Sequence, residues 1–262
     1  MSVIRSKPSV VSDRLEAAEA ELGRERRRVT DELEALETFE NRVRSIGTTT
    51  PSPVGHDRAV LGTTASVGSL DRVREAYEST VMSVPHYADE YGDTYRWSLG
   101  EEFTPDLAVA LTNGESFDER HKRTLLSAIE GSKSARETLL AELGAERESL
   151  ADATETLLEI AEEIEELSTI PLEKRSFGAL DAYHSRLGVL ETKCETVSDR
   201  RQQAVFEQRR TGWLPTDVAD IATYLYQDLD VTYPVMSSVA VLVEGLCDFR
   251  LQVERAMSGR RT

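Results

Sequence analysis

The sequence predicts an all-α protein, an elongated antiparallel helical bundle with coiled-coil character, on three observations. Apolar residues recur every seven positions in the first segment, at Leu15, Leu22, Val29, Leu36 and Val43. The last segment places Val235, Val239, Leu242, Leu246, Phe249, Val253 and Ala256 at successive three-and-four spacings, the signature of one buried helix face. No stretch alternates apolar and polar residues strictly, so neither a strand nor a parallel-sheet unit can be assembled. Of the 262 residues 39% are hydrophobic but only 6% aromatic, which fits narrow cores better than one large interior.

Ser12 is the expected cap of the first helix, and Gly47 its stop, giving a long charged N-terminal element over residues 1–47. Val11, Ala18, Phe39 and Ile46 occupy the neighbouring core position, but Glu25 and Glu32 break that second seam. Glutamate at core positions weakens a two-stranded coil, so the pattern favours a helix packed on others of its own chain or a loose coil. Residues 48–66, rich in Gly, Thr, Ser and Pro, read as a flexible linker. A cap region over 67–114 follows, with a helix from about Ser69 to Val84 before Pro85. After an irregular stretch comes a short helix over 105–113, started by Thr104 and Pro105 and stopped by Asn113 and Gly114.

Residues 115–210 read as a long antiparallel hairpin. Ser116 and Glu119 form the expected capping box of its first arm, which runs to about Leu167, with Gly131 and Gly144 as places for a bend. Ser132, Arg136 and Glu146 interrupt its apolar seams. Ser176 is the expected cap of the second arm, whose core is Leu180, Tyr183, Leu187, Leu190, Cys194, Val197 and Ala204. Residues 211–262 complete the bundle with a helix after Pro215 and the last helix after Pro234.

The net charge is −17, and the 31 basic residues are 26 Arg and 5 Lys beside 48 carboxylates. Such a surface disfavours binding to the polyanionic backbone of nucleic acids. It suits a cytoplasm of very high salt, where screening shortens self-repulsion to about 3 Å at 1 M. Cys194 and Cys247 belong to no CxxC or Cys/His cluster, so the expectation is two buried free thiols rather than a disulfide or zinc site. The N-terminus lacks a secretory pattern, and the most apolar run, Val235 to Val243, is about half the length that crosses a bilayer. The expected place is the cytoplasm, with no membrane partner.

Two stretches carry a resemblance: VREAYESTVMSVPHYADEYGDTYRWSLGEEFTPDLAVAL, from Val73 to Leu111, and LYQDLDVTYPV, from Leu225 to Val235. They resemble an uncharacterised haloarchaeal family, a domain of unknown function with a long charged N-terminal helix. Its central pattern corresponds to Thr80, Val81, Met82, Val84, Pro85, His86, Tyr87, Glu90, Tyr91 and Gly92. Asp89 stands where the family has Glu, and Met236 where it has Leu. The resemblance extends over nearly the whole chain and implies no activity, substrate or catalytic residue.

The candidate surface site is the same central stretch. Were residues 86–96 one helix, Tyr87, Tyr91 and Tyr95 would form an aromatic stripe with His86, Glu90 and either Asp89 or Asp93 beside it. One His with two carboxylates can hold a divalent ion, and a neutral imidazole among acids can serve as a general base. The plainer reading makes the tyrosines a cap on the bundle and the acids a salt-adapted surface; Gly92 also argues against an unbroken helix. The same plain reading covers Glu162, Glu163, Glu165 and Glu166, which flank the seam of Ile160, Ile164 and Leu167. The small arginine groups, Arg24 with Arg26 to Arg28, Arg200 with Arg201, Arg209 with Arg210, and Arg260 with Arg261, are expected to pair with nearby acids. His56, His121 and His184 have no second His at ligand spacing.

No GxSxG, GxGxxG, complete P-loop or HExxH is present. The expectation is therefore a non-catalytic helical interaction or scaffold protein without cofactor, presenting helices to itself or a protein partner. Its first helix is the element expected to pair with another chain. The alternative is a metal-binding sensor or metal-dependent enzyme using His86, Glu90 and Asp93.

Overall fold

The structure is a computed structural model that describes residues 7–49, 63–169, 171–211 and 220–259. Among these, every regular element is helical: α1 (Lys7–Ser45), α2 (Thr63–Glu78), α3 (Tyr87–Glu90), α4 (Tyr95–Glu102), α5 (Pro105–Asn113), α6 (Glu119–Ser168), α7 (Phe177–Thr211), α8 (Ile221–Leu225) and α9 (Pro234–Ser258). The fold is all-α. The chain divides into two compact units, one of residues 1–25 with 142–262 and the other of residues 26–141. Most of the expected linker, residues 50–62, lies outside the described residues.

In the first unit the two arms of the expected hairpin are present and antiparallel. Arg186 pairs with Glu163, Lys193 with Glu159 and Arg201 with Glu146, so partners on α7 advance as those on α6 recede. Helix α9 runs antiparallel to α7 in turn, with Glu254 beside His184 and Glu191 beside Arg250. Six of the seven predicted core residues of α9 are buried, from Val235 to Val253, and only Ala256 is half-exposed. Ser176 caps α7 as expected, its hydroxyl accepting from the Ala179 N–H at 3.2 Å. Cys194 is buried in this packing, and burial pushes its thiol up to about 11. Cys247 is exposed, contrary to expectation, because the apolar face of α9 is carried by its neighbours Leu246 and Phe249.

The interior of this unit also holds a polar knot. Glu146 is fully buried and accepts two hydrogen bonds from Arg201, at 2.7 and 2.8 Å, and one from the Tyr226 hydroxyl at 2.8 Å. Arg201 therefore belongs to the core and not to a surface arginine group.

The second unit is built on the later part of α1, α2 to α5 and the start of α6. Its core gathers Phe39, Val43, Tyr77, Leu99, Leu107, Phe117, Leu125 and Ile129. Phe39 meets the edge of Tyr77 with centroids 5.2 Å apart, and Tyr77 meets Tyr95 at 5.7 Å, so few aromatics fill much of the space. The short helix Pro105–Asn113 forms as predicted, with the Thr104 hydroxyl accepting from the Leu107 N–H. A Cβ at Gly114 would collide with the Ala110 carbonyl oxygen, which makes this stop specific to glycine.

Several boundaries differ from the sequence reading. Helix α1 already includes Lys7, ahead of the expected cap at Ser12. Helix α2 ends at Glu78 rather than Val84, where the chain tightens into three-residue turns: the Thr80 N–H bonds to the Tyr77 carbonyl at 3.2 Å and the Ser83 N–H to the Thr80 carbonyl at 3.0 Å. Asp118, not Ser116, caps α6, accepting from the His121 N–H at 2.8 Å. Helix α6 continues through Gly131 and Gly144 without interruption. The helix expected after Pro215 is described only as Ile221–Leu225, capped by Asp220; Pro215 and Val218 lie outside the described residues.

The first helix is not a free pairing element. Val11, Leu15, Ala18, Leu22, Val29, Leu36, Phe39 and Val43 are all buried within this chain. The glutamates that break its seam are partnered, Glu25 by the Tyr224 hydroxyl and Glu32 by three groups of the second unit. The seam expected to meet another chain is thus already covered.

Candidate functional site

The 86–96 stretch is not one helix. After Tyr87–Glu90 the chain turns at Gly92, whose φ of +57° only glycine adopts readily, and its N–H closes back on the Tyr87 carbonyl at 3.0 Å. Helix α4 then starts at Tyr95 in a new direction, an element the sequence reading treats as irregular. The expected stripe is therefore broken. Tyr87 and Tyr91 remain together with ring centroids 5.5 Å apart, whereas Tyr95 turns into the core against Tyr77, with the Arg74 guanidinium over its ring at 5.3 Å. Burial pushes the Tyr77 and Tyr95 hydroxyls well above the ordinary phenol range.

His86 meets a carboxylate of another helix. Its Nε2 shares a 3.1 Å hydrogen bond with Oε1 of Glu32, and the Tyr91 hydroxyl donates to the same oxygen at 3.2 Å. The other oxygen of Glu32 accepts from Arg136 Nε at 3.2 Å, and the fork of Arg136 holds both oxygens of Glu102 at 2.7 and 2.8 Å. Burial works against the Arg136 charge, but Glu102 and Glu32 outweigh it and hold the guanidinium above its ordinary value. The result is a relay of fixed charges across α1, α4 and α6 inside one unit.

This relay forms one wall of a cavity of about 210 Å³. Leu36, Val81 and Val84 supply its apolar surface, Tyr77, Tyr87 and Tyr91 its aromatic surface, and Asp93 and Glu101 further carboxylates. The Tyr77 hydroxyl is satisfied by Ser98 at 2.9 Å. The Tyr87 hydroxyl is buried with no hydrogen-bond partner. Of the six candidate residues, then, Tyr87, Tyr91 and Asp93 line the cavity, His86 stands behind Glu32, and Tyr95 belongs to the core. The Glu90 side chain lies outside the described residues.

Glu32, Glu102 and Arg136 are the site residues that sequence reasoning misses. A signal for two of them existed: Glu32 and Arg136 are opposite charges at core positions of otherwise apolar seams, and each answers the other. Among the described residues no group of three or more His, Cys, Asp and Glu side chains is placed to hold a metal ion. Glu162, Glu165 and Glu166 are exposed and Glu163 pairs with Arg186, in keeping with a solvated flank. His184 faces Glu254, His121 stands beside Asp118, and His56 lies outside the described residues. No described helix is long and apolar enough to cross a membrane.

A family model described as a domain of unknown function, DUF7260, covers residues 13–250. No curated protein and no solved structure matches.

Proposed function

The chain belongs to this family of unknown function, and from that premise we propose that it is a non-catalytic helical interaction or scaffold protein. The observation that carries the reading is Trp97. It is 61% exposed on α4, the helix that also lends Ser98, Glu101 and Glu102 to the cavity, while Tyr91 on the cavity rim is 50% exposed. Exposed Trp and Tyr beside a concave, partly apolar surface are the residue types that dominate protein recognition. The chemistry-bearing groups nearby support the same reading, since His86, Glu32, Arg136 and Glu102 are committed to one another rather than poised around a reacting atom.

The acidic, arginine-over-lysine composition favours a halophilic, haloarchaeal cytoplasm as the setting. The partner surface is helical and belongs to a second copy or another protein. Light scattering at high salt tests the first case, and affinity capture with mass spectrometry the second, each with Trp97→Ala in parallel. An assembly that the substitution dissolves supports the reading. A wild-type chain that is monomeric and elutes alone contradicts it.

A further inference from the structure

Helix α7 turns a nearly charge-free face to solvent in a chain of which 30% is charged. Ala182, Ser185, Val189, Thr192 and Thr196 follow one another at alternating spacings of three and four, and all are exposed. Gln203 and Phe206 continue the series in the same register, with Asp199 as its single charge. The opposite face of the helix, with Leu187, Leu190, Cys194 and Val197, already serves the core of its own unit. The exposed series is therefore a second seam. It leaves two large apolar side chains in water, Val189 at 46% and Phe206 at 57% exposure. The Thr192 and Thr196 hydroxyls donate within the helix, to the Gly188 and Thr192 carbonyls at 3.1 and 2.9 Å. Another surface can cover them with no hydrogen bond lost.

The charges beside this seam say what covers it. With the exposed series at heptad positions a and d, Asp181 and Glu195 fall at g, and Arg186, Lys193 and Arg200 at e. One flank is acidic and the other basic; Gly188 and Gln202, the remaining g residues, are neutral, and Glu207 is the one acid at e. When two such helices lie parallel, each g residue faces the next e residue of the other copy, so Asp181 meets Arg186 and Glu195 meets Arg200. An antiparallel pair sets acid against acid and base against base. Arg186 and Lys193 are also held by Glu163 and Glu159 of α6. No ion pair or side-chain hydrogen bond engages Glu195 or Arg200 within the described residues, so this complementary pair is open to a second copy.

We propose that this face of α7 pairs with the same face of a second copy of the chain, parallel and in register. Val189 and Phe206 meet their counterparts along the seam, and Glu195 pairs with Arg200 of the second copy on both sides. A self-complementary contact of this kind closes a two-fold dimer and does not propagate. The seam from Ala182 to Phe206 is about 36 Å long at the α-helical rise. Asp199 meets its own counterpart across the seam, which weakens the pairing and keeps the dimer dissociable. The inference rests on the interaction reading and names its partner, but it uses α7 and not Trp97, so the two fail separately.

Light scattering of the full chain over a concentration series in concentrated salt tests it. The expected result is a wild-type dimer that Val189→Asp dissociates and Trp97→Ala leaves intact. Asp199→Leu should tighten the dimer by about tenfold or more, because it removes a like-charge contact and adds apolar surface; a misfolded variant would not show that gain. At lower salt, where exposed charges are less screened, Glu195→Arg should weaken the dimer several-fold, and adding Arg200→Glu should restore it. A short bismaleimide reads the register in a Cys247→Ser background, which removes the exposed native thiol. Ala182→Cys and Thr196→Cys should each cross-link as a single variant, whereas an antiparallel pair centred on Val189 would cross-link only a mixture of the two. A wild type that stays monomeric up to its solubility limit overturns the proposal. So does a dimer that survives Val189→Asp or cross-links only in the mixture. Dissociation by Trp97→Ala but not by Val189→Asp would place self-association on α4 and overturn this inference while sparing the interaction reading.

Discussion

A carboxylate with no exposed surface is stable only if its neighbours replace water. Glu146 meets that condition with hydrogen bonds from Arg201, Tyr226 and Gln208. Removing one member of such a pair leaves a buried charge uncompensated and costs about 3–5 kcal/mol. Arg201→Ala should therefore lower the stability of the chain by about that amount in urea unfolding, whereas replacing Glu146 and Arg201 together by leucine should recover most of it. A loss under about 1 kcal/mol for the single variant would mean that the knot is solvated. At the residue scale the sequence was legible in an indirect way. Glu32, Arg136 and Glu146 each stand out as charges at apolar positions, but their partners come from other helices, and spacing along one helix cannot reveal a pairing across two.

Elements were legible where local chemistry settles the matter. Thr104 and Pro105 start a helix and Gly114 stops it because these residues act on their own turn. The heptad positions of α1 and the apolar face of α9 are likewise buried as the periodicity requires. Two boundaries were hidden by competition between alternatives. Helix α2 ends early because the backbone tightens into three-residue turns at Thr80 and Ser83, and apolar spacing of three or four reads the same through either kind of turn. Helix α4 was hidden by its short apolar pattern, with Tyr95 and Leu99 only one turn apart. Helix α6 carries Gly131 on an exposed face, where a Cβ would meet nothing within 4 Å. Gly131→Ala should therefore stabilise the chain by about 0.5–1 kcal/mol, read as a rise in melting temperature. A fall would show that the helix bends there in solution.

For the molecule as a whole, charge sets the response to pH. Burial alone would raise the Asp220 carboxyl, but the Thr223 N–H, Arg209 and Tyr233 together hold it below the ordinary aspartate value. In the second unit Lys133, ahead of Arg44, holds Glu40 low against the opposing effect of burial. A carboxylate whose folded-state pKa is depressed contributes stability that is present above its unfolded value and is lost as pH falls through the lowered one. Stability should accordingly fall on acidification below the ordinary carboxylate range, and Asp220→Asn should flatten that fall relative to wild type in melts recorded across the acidic range. An equally steep fall in the variant would remove Asp220 from the account. The overall charge of −17 adds self-repulsion that salt relieves, which is why assembly is best measured in concentrated salt.

The whole-molecule claim is that helix surfaces of this chain recognise a protein, with Trp97 at the contact. Affinity capture of the tagged chain and of its Trp97→Ala variant from the native host at high salt, with stoichiometry read by mass spectrometry, tests it most directly. The predicted result is a stoichiometric protein recovered with wild type and lost with the variant, while both melt at the same temperature. Recovery of the wild-type chain alone and monomeric, or of the same partner at the same stoichiometry with the variant, would contradict it.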